Sequence, residues 1–141
     1  MLNFLVRRSL RPYYSNIAGK IYVAGDWLEF SCVKPARPRR CMQHISLIIP
    51  GYRFDHLQED FEIRLQDGRV VRPMIEVVDA IGNKFETEDG NRVGNLIGFH
   101  VIQHDGMSTS LSDNLQKVVV RIRSDEPFEC ESIDWVTKRL K

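Results

Sequence analysis

The chain has 141 residues and a mass of 16.4 kDa, the size of one domain. Hydrophobic residues make up 43% and charged residues 28%, which excludes a largely disordered chain, a collagen-like fibre and a multi-pass membrane protein. The net charge is +1 but unevenly placed: residues 1–53 hold nine Lys/Arg against only Asp26 and Glu29, a net of +7, and residues 54–141 carry a net of −6. Such a split predicts a basic arm or face on an acidic body.

The N-terminal run Met1-Leu2-Asn3-Phe4-Leu5-Val6-Arg7-Arg8 places its charge after a short apolar stretch, the reverse of a secretory signal. Arg7, Arg8 and Arg11 precede any acid and give the first residues a transit-peptide composition. A cytoplasmic location is expected, with a mitochondrial one as the alternative. Residues 1–20 read as a basic N-terminal segment and residues 21–141 as a single domain. No apolar run approaches the ~20 residues of a membrane-spanning helix.

Beyond this segment the chain reads as strands separated by turns. In Trp27-Leu28-Glu29-Phe30-Ser31-Cys32-Val33, Leu28, Phe30 and Cys32 share one face. The next segment, Lys34-Pro35-Ala36-Arg37-Pro38-Arg39-Arg40, places four cations among seven residues and stiffens them with two prolines. Proline disfavours helix, so an extended, exposed connection is expected. His44-Ile45-Ser46-Leu47-Ile48-Ile49 is nearly continuous apolar, like a central strand. Residues 54–60 could form a turn or two of helix. Phe61-Glu62-Ile63-Arg64-Leu65 alternates cleanly and is joined by Asp67-Gly68 to Arg69-Val70-Val71, a hairpin signal. Pro73 cannot donate to a ladder and marks a break before Met74-Ile75-Glu76-Val77-Val78.

The glycine-rich stretch from Gly90 to Gly98 reads as a loop followed by a strand. Ser110, with Asp113 three residues on, could start a second short helix. Val118, Val120 and Ile122 alternate inward along the next strand. In Phe128-Glu129-Cys130-Glu131-Ser132-Ile133-Asp134-Trp135 the apolar parity changes between Cys130 and Ile133. A bulge near Ser132, or a strand passing between sheets, would return all four apolar residues to the core. Eight or nine short strands predict an all-β fold: a two-sheet antiparallel sandwich, immunoglobulin-like or jelly-roll, with at most one or two short helices. Its expected core contains Phe30, Ile45, Leu47, Phe61, Ile63, Val77, Val120 and Ile122.

The chemistry-bearing residues form no catalytic motif. On a strand His100 and His104 share a face about 13 Å apart, too far for one metal. His44 and His56 have no ligand partner nearby in sequence. Cys32, Cys41 and Cys130 show no zinc spacing and are odd in number, so they cannot all pair within one chain; a Cys32–Cys41 bridge is open only in an oxidising compartment. No nucleophile elbow, phosphate-binding loop or dinucleotide fingerprint is present. Carboxylates cluster around Asp55, Glu59, Asp60 and Glu62, and again at Glu86, Glu88 and Asp89, without the calcium-loop pattern. Tyr13, Tyr14, Tyr22, Trp27, Tyr52 and Trp135 are scattered, and both tryptophans suit a core. No catalytic residue, metal or cofactor is expected.

The strongest local signal is the basic segment. Lys34, Arg37, Arg39 and Arg40, aided by Arg7, Arg8 and Arg11, are the expected partner-binding residues. The expected function is a non-catalytic module that binds another macromolecule, foremost a protein with an acidic surface. The near-neutral isoelectric point of about 7.8 speaks against a nucleic-acid partner. Two alternatives stand beside it. One is an enzyme whose site is assembled from distant His, Cys, Asp and Glu residues. The other is a carbohydrate-binding accessory module.

Overall fold

The structure is a computed structural model that describes residues 13–35, 41–53, 62–102 and 115–139. Two-thirds of these residues are in strands and none is helical. The strands are β1 (Tyr13–Ala18), β2 (Ile21–Val23), β3 (Leu28–Lys34), β4 (Cys41–Ile48), β5 (Ile63–Arg64), β6 (Val70–Val71), β7 (Met74–Val78), β8 (Lys84–Val93), β9 (Leu96–Val101), β10 (Gln116–Arg123), β11 (Phe128–Cys130) and β12 (Ser132–Arg139). The fold is all-β and antiparallel. Eight strands form one sheet in the order β1-β12-β4-β9-β8-β7-β10-β3. Its edges β1 and β3 meet without a ladder between them, so the sheet curls into a nearly closed barrel. The regions expected as helices, residues 54–60 and the segment from Ser110, lie outside the described residues.

Period-2 alternation fills the barrel. Ile45 and Leu47 of β4 sit between Trp135 and Ile133 of β12 and Phe99 and Ile97 of β9, and all six are buried. Val120 and Ile122 of β10 meet Val77 and Ile75 of β7 in the same way. Of the expected core, Ile45, Leu47, Ile63, Val77, Val120 and Ile122 are buried. Phe30 is only half-buried, because β3 is an edge strand with one hydrogen-bonded neighbour. Phe61 lies outside the described residues.

One end of the barrel is capped by two small sheets, β2 with β11 and β5 with β6. Gly68, at φ 88°, turns the β5–β6 hairpin. Asp67 accepts from the Arg69 backbone N–H at 3.0 Å and pairs with its guanidinium at 2.8 Å. The Arg69 side chain, foremost, holds the Asp67 carboxyl below its usual range. Arg69 also donates to Pro127 O at 2.6 Å and pairs with Glu126, which pins this hairpin to the segment before β11. As Pro73 requires, the chain breaks between β6 and β7.

The parity change near Ser132 is a sheet switch. β11 pairs with β2, the ladder stops at Glu131, and β12 joins β4 and β1. Phe128, Cys130, Ile133 and Trp135 are all buried as a result. The stretch from Gly90 to Gly98 differs from the expected loop. Strand β8 continues to Val93, turns at Gly94 with φ 60°, and returns as β9. Tyr13–Ala18, inside the basic N-terminal segment of residues 1–20, is β1, the edge strand beside β12.

Candidate functional site: one end of the barrel and a cleft in its wall

Because every ladder is antiparallel, the register sorts the connections between two ends. β3, β7, β9 and β12 finish at one end, where β1, β4, β8 and β10 begin. The attachment points of two basic segments therefore share that end. Residues 1–12 lead into Tyr13, and residues 36–40 run between Pro35 and Cys41. Arg7, Arg8, Arg11, Arg37, Arg39 and Arg40 themselves lie outside the described residues.

Lys34 corrects the expectation of an exposed cation. β3 runs one residue further than the alternation ending at Val33 implies. Lys34 thus takes the inward parity of Leu28, Phe30 and Cys32 and is 0% exposed. Its Nζ donates to Pro35 O at 2.8 Å. Beside it in register on β10 is Gln116. Elsewhere at this end, Gln43 of β4 and Thr137 of β12 are also inward, buried and cross-strand partners.

A second feature is a cleft through the wall. β7 and β8 pair only from Glu76↔Glu86 to Val78↔Lys84. Beyond that the strands part, held by Thr87 Oγ1 donating to Ile75 O at 2.9 Å. The parting opens a cavity of about 330 Å³ that reaches from Glu86 and Glu88 outside to Phe99 inside. Its opening also includes Trp27, Glu76 and Asp89. Arg121 stacks over Trp27 at 4.5 Å, pairs with Glu29 at 2.9 Å and bonds Glu76. The expected core role for the tryptophans holds for Trp135, which is fully buried, whereas Trp27 is half-buried on the outer face.

The structure also joins residues that are remote in sequence. His44 and His100 are cross-strand partners on the outer face, with ring centroids 5.3 Å apart. Glu88, next in the same row, lies 3.3 Å from His100 Nδ1. Only the strand register reveals this row. His56 and His104 lie outside the described residues. No group of three or more His, Cys, Asp or Glu among the described residues is placed to hold a metal ion. Cys32 and Cys130 are free thiols, each pushed up to about 11 by burial. They are therefore protonated and poorly nucleophilic at neutral pH. No helix among the described residues is long and apolar enough to cross a membrane. Comparison with protein-family models, curated proteins and solved structures yields no match to this chain.

Proposed function

We propose that this protein is a non-catalytic β-module that docks an acidic protein partner at the barrel end where both basic segments attach. One observation carries the reading: the register brings Tyr13, Pro35 and Cys41 to the same end. The attachment points of the basic segments 1–12 and 36–40 thus share one end, although sequence separates them. Arginine predominates, which suits forked contact with carboxylates. Lys34 is excluded from the contact set by its burial.

The architecture supports the reading. β8 pairs with β9 on one side and β7 on the other, so it can act as the corner between two facing layers. We read these as a sandwich of immunoglobulin-like or jelly-roll type, with the barrel end as its binding face. A cytoplasmic setting, or alternatively a mitochondrial one, belongs to the same reading.

The test uses polyglutamate as a defined acidic probe. Binding to the full chain should be measurable at low salt and fall steeply towards physiological salt, where charges are screened beyond about 8 Å. The Arg37→Glu, Arg39→Glu, Arg40→Glu variant should lose it while keeping its fold. Equal binding by both proteins would sink the reading.

A second reading, carbohydrate binding, is supported by the cleft. Trp27 offers an aromatic face, and Glu86, Glu88 and Asp89 offer acceptors for hydroxyl groups. Titration with an oligosaccharide panel should then show binding that Trp27→Ala removes. Silence of the wild-type chain across the panel would discard it.

A further inference from the structure

We propose that the cleft between β7 and β8 binds an aliphatic polyamine, its ammonium groups on the carboxylates of the opening and its carbon chain against Phe99. This site lies in the barrel wall and uses none of the basic residues at the barrel end. Where the two strands part, two cavities of about 330 and 340 Å³ adjoin, sharing Pro73, Asp89 and Phe99 in their walls. Both volumes fall in the range of small-ligand pockets. The floor is apolar: Phe99 and Ile75 line the first cavity, Ile63 and Val71 the second, and all four are buried. Asp89 is the cross-strand partner of Phe99 and has the inward parity of Phe85. A carboxylate therefore stands where the two cavities meet.

Charge sets the ligand class. Glu76 and Glu86 are direct cross-strand partners at the opening, and like charges so placed destabilise a sheet. Glu88 follows Glu86 on the same face of β8, about 7 Å further along at the usual strand rise. The cations nearby are engaged: Arg121 serves both Glu29 and Glu76, Arg123 pairs with Asp125, and Arg92 lies 3.6 Å from Asp89. Glu86 pairs with no cation among the described residues, and Glu88 has only the His100 ring. A bound cation relieves the Glu76–Glu86 repulsion, which a neutral sugar would leave in place. The described carboxylates and histidines are not placed to ligate a metal ion, and the apolar floor calls for a cation with a carbon chain. A butane spacer sets two ammonium groups at about the separation of Glu86 and Glu88. Trp27, at the same opening, adds an aromatic surface that attracts ammonium.

The test is calorimetric titration of the full-length chain with putrescine, the simplest probe of this class. Magnesium chloride and butanediol are run in parallel at matched ionic strength. Putrescine should give saturable heat and raise the melting temperature. Magnesium, a cation without a carbon chain, and butanediol, the same chain without charge, should do neither. Glu86→Gln combined with Glu88→Gln should weaken putrescine binding roughly tenfold or more. Both side chains are exposed, so the fold should survive their exchange. Glu131→Gln, at an exposed acid that lines neither cavity, should keep wild-type affinity. The proposal is overturned if putrescine gives no saturable heat or no more than magnesium or butanediol gives. It is equally overturned if the double substitution leaves affinity unchanged, or if Glu131→Gln lowers it as much.

Discussion

His44 and His100 face each other across β4 and β9 with ring centroids 5.3 Å apart and planes tilted by 40°. Gly90 closes against His44 of this pair. The ladder between β8 and β9 slips between Asp89 and Arg92, and the slip brings the Gly90 backbone against the neighbouring strands. A Cβ at Gly90 would lie 2.9 Å from Gly98 O and 3.2 Å from His44 Nδ1. The obstacle is backbone, which cannot swing aside. Gly90→Ala should therefore destabilise the fold by about 1–3 kcal/mol, the usual cost of overpacking. Urea unfolding would check it, and an unchanged midpoint would mean that β8 relaxes away from β9.

Leu47 is the centre of a buried row, with Ile133 and Ile97 as its cross-strand partners. Leu47→Ala should cost about 2–5 kcal/mol, through lost burial and the cavity left behind. Ile81, 84% exposed in the β7–β8 turn, provides the contrast. Ile81→Ser should stay within about 0.5 kcal/mol of wild type. Thermal unfolding of both variants would separate core from surface.

Arg121 holds the outer face of β10, β7 and β3 together. Its guanidinium stacks on Trp27 at 4.5 Å and serves Glu29 and Glu76 from one side chain. Glu76 also faces Glu86, a like charge, across the β7–β8 ladder. Removing the cation leaves a half-buried carboxylate beside another carboxylate. Arg121→Met should cost on the order of 1–3 kcal/mol. Arg121→Lys should recover only part of it, because an ammonium lacks the fork and the planar stacking surface. Chemical denaturation of the two variants would show the ranking.

Much of the fold was legible because period-2 alternation is local. Leu28, Phe30 and Cys32, or Val118, Val120 and Ile122, declare their shared face within one strand. Asp67-Gly68 and Pro73 punctuate the chain through their own backbone chemistry. The change of parity between Cys130 and Ile133 even announced the sheet switch at Glu131. Sheet closure was not legible, because which strands become edges depends on long-range register. That is why Phe30 came out half-buried, and why a one-residue extension of β3 took Lys34 inside.

The candidate site was legible only in part. The basic segment stood out by composition, but that it attaches at the same barrel end as residues 1–12 follows from strand direction. The cleft depends on where the β7–β8 ladder stops, and the His44–His100–Glu88 row depends on three strands aligning. The Gln43–Thr137 pair gave no signal in sequence, since a polar residue beginning or ending a strand usually faces water.

The buried thiols predict an alkaline limit to stability. Burial raises Cys32 and Cys130 from the usual 9.0 to about 11. The folded state thus keeps its thiol protons while the unfolded chain gives them up. Between pH of about 9 and 11 the unfolded state binds fewer protons, so stability falls as pH rises. Below that window both states are protonated and these thiols add no pH dependence. Urea midpoints measured from pH about 7 to 11 should decline across the upper range. Cys130→Ala, with the midpoint compared only against its own neutral-pH value, should flatten the decline. Alkylation should follow the same logic: iodoacetamide at mildly alkaline pH should label Cys130 far more slowly in the native chain than in urea. Rapid native labelling of Cys130 would mean that the β2–β11 sheet opens easily and that the thiol is not held as the structure places it.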